Sequence, residues 1–186
     1  MTLFKHYFAE FVPADLHSSA QRAITLLSDC LTEIQLLRLT NLLDEQEFLK
    51  QQLIRTLVGS EYVLQCCCVD PNLLFNQLLC DAPFSPLTPV KIFDAIEVAC
   101  SDNLTSDELG VLLRRLRRSF MTILYWRDIN DLADFSEVSA AMTALAEAFV
   151  QQALNFNYNF LTKKYGFPIG SESGLIQPML VIGMGK

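Results

Sequence analysis

The feature that most constrains this chain is a helix written into residues 105 to 124. Thr105-Ser106-Asp107-Glu108 has the form of a capping box, in which a hydroxyl and a carboxylate three residues apart satisfy each other's free backbone amides. Behind it, Leu109, Leu112, Leu113, Leu116, Phe120, Ile123 and Leu124 fall within an arc of about 120° at roughly 100° per residue. Arg114, Arg115 and Arg118 take the opposite arc, and Arg117 lies at its border with the apolar stripe. One face must be buried while the other carries positive charge. Such a helix has to pack against further structure.

The same three- and four-residue spacing runs through almost everything up to residue 165. Ser18 to about Val58 predicts two or three helices, broken near Ser28-Asp29 and near Thr40-Asn41. Gly59 reads as a C′ stop, and Ser60 as the cap of a short helix from Glu61 to Val69. Asp70-Pro71 and Thr88-Pro89 each set a cap before a proline at the first helical position, opening helices to about Cys80 and about Cys100. After a polar break near Asn130-Asp131, a long helix begins at about Ser136. Its apolar positions Val138, Met142, Leu145, Phe149, Ala153, Phe156 and Phe160 step by four and three. Lys163 and Lys164 complement its C-terminal dipole, with Gly166 and Pro168 as stops. Ile169 to Gln177 is a Gly/Ser loop, and Pro178-Met179-Leu180-Val181-Ile182 is an apolar run that predicts a buried strand. The expected fold is mainly α: a helical bundle over residues 1–165, then residues 166–186 as a loop, a single C-terminal strand and a Gly-rich turn.

Composition narrows the classes of function. At 51% hydrophobic and 19% charged, with seven Gly and seven Pro, the chain is not disordered, collagen-like or low in complexity. A chain of 186 residues buries roughly 70% of its unfolded surface and needs no disulfide or metal to be stable. No stretch of about 18 uninterrupted apolar residues predicts a membrane span, and Met1 to Glu10 does not have the pattern of a secretory signal. A formal charge of −7 argues against general affinity for nucleic acid or anionic lipid. The six cysteines (Cys30, Cys66, Cys67, Cys68, Cys80 and Cys100) include three in a row and no C-x-x-C. They are expected to be reduced, mostly buried thiols in a cytoplasmic protein. His6 and His17 lie far from any cysteine pair, so zinc-ligand spacing is absent.

Two segments draw attention as sites. Gly183-Met184-Gly185-Lys186 follows the apolar run, and such turns let backbone amides approach phosphate. It departs from the P-loop pattern, because Leu180 stands where the first Gly belongs and no Ser or Thr follows Lys186. The arginines Arg114, Arg115, Arg117 and Arg118 have three open readings: a solvated helix face, pairing with acids such as Asp128, Asp131 or Asp134, or binding to an anion or acidic partner. The carboxylates around the helix junction, Glu137 among them, sit at capping positions, and no Asp-x-Asp pair suited to Mg²⁺ occurs. Residue chemistry alone supplies no complete active site.

The order of motifs is more specific. Leu113-Arg114-Arg115-Leu116-Arg117-Arg118, Ile123-Leu124-Tyr125-Trp126-Arg127-Asp128, Leu132-Ala133-Asp134 and finally Leu180-Val181-Ile182-Gly183-Met184-Gly185-Lys186 resemble the N-terminal half of the glutamine synthetase adenylyltransferase/adenylyl-removing enzyme family. Gly59-Ser60-Glu61-Tyr62-Val63 before Asp70-Pro71 resembles that family's Ser-Asp-Phe-Val segment, with Glu61 in place of Asp. The resemblance runs from about residue 50 to the end.

The resemblance implies a large cytoplasmic regulator of nitrogen assimilation with two nucleotidyltransferase domains. One removes AMP from a tyrosine of glutamine synthetase by phosphorolysis, yielding ADP, and the other adds AMP from ATP. The PII signal protein and glutamine regulate both, and both use Mg²⁺. In the family the Gly-Met-Gly-Lys turn leads to Leu-Gly-Gly and a metal-binding Ser-Asp-x-Asp, neither of which occurs in this sequence. Gly183, Gly185 and Lys186 are then the leading edge of a nucleotide-binding turn. The chain is expected to be an N-terminal fragment, cut before the metal motif, inactive alone and without productive binding of Mg²⁺, ATP or ADP. The alternative is a non-catalytic helical module that binds glutamine synthetase or another acidic partner through its arginines.

Overall fold

The computed structural model describes residues 11–80, 82–100 and 104–183. It is mainly helical. A 3₁₀ turn, Ala14–Leu16, leads into α1 (His17–Cys30), α2 (Glu33–Glu45), α3 (Glu47–Gly59) and α4 (Glu61–Val69). Then come α5 (Pro71–Leu73), which passes into a π-helical turn at Leu74–Leu78, and a 3₁₀ turn at Ala82–Phe84. Three helices complete the order: α6 (Pro89–Ala99), α7 (Ser106–Ile129) and α8 (Phe135–Tyr165). The chain divides into two compact units, residues 1–87 with 118–139, and residues 88–117 with 140–186.

The capping residues behave as their chemistry requires. Ser60, Asp70 and Thr88 each accept a backbone N–H of the first helical turn. Thr105 Oγ1 accepts from the Glu108 amide at 3.3 Å, and the Glu108 carboxylate accepts from the Thr105 amide at 2.8 Å. Two helix breaks differ from expectation. The first falls at Leu31-Thr32, where Thr32 and Gln35 build a second capping box. The second falls at Gln46, because the Thr40 hydroxyl donates back to the Leu36 carbonyl at 2.9 Å and stays inside α2. Gly59 is the last residue of α3 and has no left-handed φ. A Cβ there would stand 3.4 Å from the Ile129 side chain, so its smallness serves a close approach.

In the first unit, α1 packs on α3 and α4, and α3 packs on α2 and α4. The core between them includes Ala20, Leu27, Leu39, Leu53, Leu57, Val63, Leu74, Leu78 and Trp126. Each buried Leu contributes about 1.5–3 kcal/mol through the apolar surface it removes from water. Asn130 donates to Thr56 Oγ1 at 2.7 Å and to the Trp126 carbonyl at 2.9 Å, which anchors the end of α7 to α3. In the second unit Ile92 and Ile96 of α6 and Leu109 of α7 are buried. The buried stripe of α8 is Ala141, Ala144, Leu145 and Ala148. Small side chains mark its covered face, while Met142 and Phe160, expected to be apolar anchors, are exposed.

The end of the chain differs from the sequence reading. Gly166 at φ +83° stops α8, its amide donating to the Thr162 carbonyl. A tight turn follows, closed by an isolated antiparallel bridge between Ile169 and Ile176. No strand forms among the described residues, and Pro178–Ile182 runs as irregular backbone. Leu180 and Ile182 are 80% and 82% exposed. A strand gains its hydrogen bonds only from a neighbour, and no described segment lies alongside to supply them.

Candidate functional site

Three constellations carry the chemistry of this chain. The first is the cationic face of α7. Arg114, Arg115 and Arg117 are exposed, whereas Arg118 is half-buried. Sequence periodicity placed Arg117 at the border and Arg118 on the open arc; the structure reverses them. Arg118 to Met121 are all half-buried, so cover extends around a full turn there and not along one stripe. The Arg114 guanidinium folds back over Gly110, 3.4 Å from where a Cβ would stand. Among the described residues none of the four arginines takes part in an ion pair, so pairing with Asp128, Asp131 or Asp134 is not observed. Asp131 pairs instead with Arg55 at 3.2 Å.

The second is Arg127, which is chemically like its neighbours and structurally their opposite. It is 2% exposed. Its Nε and Nη2 grip the two Glu137 carboxylate oxygens at 2.8 and 3.0 Å, Nη2 also donates to the Leu132 carbonyl at 2.6 Å, and Nη1 donates to the Pro83 carbonyl. Glu137 Oε1 accepts in addition from the Leu87 amide at 3.1 Å. Asp134 caps α8 by accepting the Glu137 amide at 2.7 Å. The Trp-Arg-Asp and Leu-Ala-Asp motifs thus build a clamp joining α7, the 83–87 connector and the start of α8. The sequence reading assigned Glu137 a capping position; its carboxylate serves Arg127 instead. A buried guanidinium demands such a fork, but nothing local in the sequence names the partner.

The third is the tail. Tyr158, Leu161 and Tyr165 of α8 face Phe167, Pro178 and Met179 across an apolar cavity of about 560 Å³. Gly183 beyond it is exposed, and a Cβ there would meet nothing within 4 Å. Gly185 and Lys186, the other members of the expected nucleotide-binding turn, lie outside the described residues, as does His6.

Metal chemistry finds little to work with. His17 Nε2 is engaged with the Val12 carbonyl at 2.9 Å. Among the described residues no group of three His, Cys, Asp or Glu side chains could hold a metal ion. The cysteines correct the expectation of mostly buried thiols. Cys66 and Cys67 are buried, Cys68, Cys80 and Cys100 are half-buried, Cys30 is exposed, and all are free. Burial, with Cys66, Cys68 and Asp70 nearby, pushes the Cys67 thiol up to about 12. No described helix is long and apolar enough to cross a membrane.

Together these features define a helical module with one cationic helix face, a buried Arg–Glu clamp and an apolar tail. The family model for glutamate-ammonia ligase adenylyltransferase matches residues 50–186, and the chain belongs to that family. Among its relatives is the bifunctional glutamine synthetase adenylyltransferase/adenylyl-removing enzyme of Pseudomonas aeruginosa, 29% identical over 175 residues. The corresponding proteins of Shewanella oneidensis and Nitrosococcus oceani are each 34% identical, over 183 and 128 aligned residues. The Pseudomonas and Shewanella alignments each cover 94% of this chain and 18% of the relative, and the Nitrosococcus one 69% and 13%. The chain therefore spans less than a fifth of the length of these relatives. No solved structure matches it.

Proposed function

We propose that this chain is the helical platform of the adenylyl-removing half of a glutamine synthetase adenylyltransferase. In this reading Pro178–Ile182 becomes the first strand of a nucleotidyltransferase sheet once other strands are present. Gly183, Gly185 and Lys186 then form the leading edge of its nucleotide-binding turn. The observation that carries the reading is the family match, which runs from residue 50 through Gly-Met-Gly-Lys at 183–186. The exposed, unpaired run at 179–182 supports it, since a strand awaiting partners must keep its backbone open.

The whole enzyme would act in the cytoplasm on glutamine synthetase, under PII control, with Mg²⁺ and ATP or ADP. A bound Mg²⁺ would neutralise charge on the transferring phosphoryl group. This chain's part is to position the turn, and alone it carries no AMP transfer or phosphorolysis, because the sequence contains no Asp-x-Asp element. The test is release of ADP from adenylylated glutamine synthetase by the purified chain with phosphate and Mg²⁺. No release above background is expected; sustained turnover would overturn the reading.

A second reading rests on the exposed, unpaired Arg114, Arg115 and Arg117: the chain docks glutamine synthetase, or another acidic surface, without catalysis. Changing all three to Glu should weaken binding to glutamine synthetase by on the order of tenfold or more, with circular dichroism unchanged. An unchanged affinity removes this reading.

A further inference from the structure

Two cysteines stand where α1 ends against α4. Cys30 is the last residue of α1 and exposed, and Cys68 lies in the last turn of α4, half-buried. The Cys68 sulfur approaches the Leu26 carbonyl at 3.8 Å. In an α-helix that carbonyl accepts from the amide of residue 30 at about 2.9 Å, so the Cys68 sulfur lies within about 7 Å of the Cys30 nitrogen. The Cys30 side chain also acts on the Cys68 thiol, helping burial to push it up. The remaining cysteines are otherwise placed: Cys66 and Cys67 are buried, Cys80 donates to the Asn76 carbonyl, and Cys100 belongs to the second unit.

We propose that Cys30 and Cys68 are a redox-active dithiol, converted by peroxide to a disulfide that joins the end of α1 to α4. The Cys30 sulfur attacks one peroxide oxygen, forming an S–O bond as the O–O bond breaks, and the departing hydroxide leaves as water with the thiol proton. The Cys68 sulfur then attacks the Cys30 sulfur. An S–S bond forms, the S–O bond breaks, and a second water carries off the Cys68 proton. Two thiols lose two electrons, and one peroxide becomes two waters. The roles follow from environment. Half-buried Cys68 is left for the second, intramolecular step. Exposed Cys30 is the thiol that peroxide reaches.

The full chain, treated with hydrogen peroxide and then alkylated under denaturing conditions, should lose two of its six alkylatable thiols and regain them with dithiothreitol. A non-reducing digest should yield the peptide pair linked through Cys30 and Cys68. Cys30→Ser, at an exposed position, should leave Cys68 alkylatable at the same dose. Six alkylatable thiols after excess peroxide would overturn the proposal, as would a Cys30 sulfinic acid beside a free Cys68, or Cys30 linked to any other cysteine. The digest of the unsubstituted chain decides the matter even if a variant folds poorly.

Discussion

Changing Arg127 to Met should destabilise the protein by about 3 kcal/mol, the low end of the 3–5 kcal/mol typical for breaking a buried ion pair. The side chain is 2% exposed and donates to a carboxylate at 2.8 and 3.0 Å and to two backbone carbonyls. Met keeps most of the apolar bulk and none of the donors. Charged hydrogen bonds contribute about 1.5–3 kcal/mol each, but the variant also escapes the desolvation of the guanidinium, so the contributions do not simply add. Glu137 is 21% exposed and regains some water, which sets the estimate at the lower end. Glu137→Gln preserves an acceptor for the Leu87 amide but strands the buried guanidinium without its counter-charge, and should cost about 3 kcal/mol or more. Urea unfolding followed by far-ultraviolet circular dichroism measures both, and the double variant closes the cycle. A coupling above about 1 kcal/mol is expected. A loss below about 1 kcal/mol for Arg127→Met, or strict additivity of the two changes, would refute the clamp as a determinant of stability.

Two further outcomes follow from local geometry. The Thr105 amide, and then its hydroxyl, hold the Glu108 carboxyl below its usual value of 4.5. A lowered folded-state pKa contributes stability that is present above the unfolded value and lost as pH falls through the folded one. Acid titration of stability should therefore show Glu108→Gln and the parent converging below 4.5, and a constant difference across pH would contradict this. Leu180→Asp, at a site 80% exposed, should change stability by less than about 0.5 kcal/mol. A clear loss in thermal melting would mean that the tail pairs or docks.

Much of the helical body is legible in the sequence, and particular residues show why. The caps at Ser60, Asp70, Thr88 and Thr105 act on amides within three residues, so sequence order alone specifies them. The breaks at Leu31-Thr32 and Gln46 are local too: the Thr32–Gln35 box spans three residues, and Thr40 stays helical through a bond to Leu36. Of the proposed nucleotide-binding turn, only the motif is legible in the sequence. Its Gly183 stands on irregular, exposed backbone, because a strand depends on neighbours that a linear pattern cannot supply.

What the sequence determined by itself is therefore an array of capped helices, one with a cationic face, and a motif order that assigns the family. Tertiary structure decided which charged and reactive groups leave water. Arg127 is one arginine among five in a short stretch, yet it alone is clamped, by Glu137 ten residues away and the Pro83 carbonyl 44 residues away. Cys68 is one of three consecutive cysteines, and it meets the end of α1 across 42 residues of sequence. Periodicity reports which face of a helix turns inward. Which distant group stands opposite is set by packing, because the cost of burying a charge or a thiol depends on atoms that only the folded chain brings near.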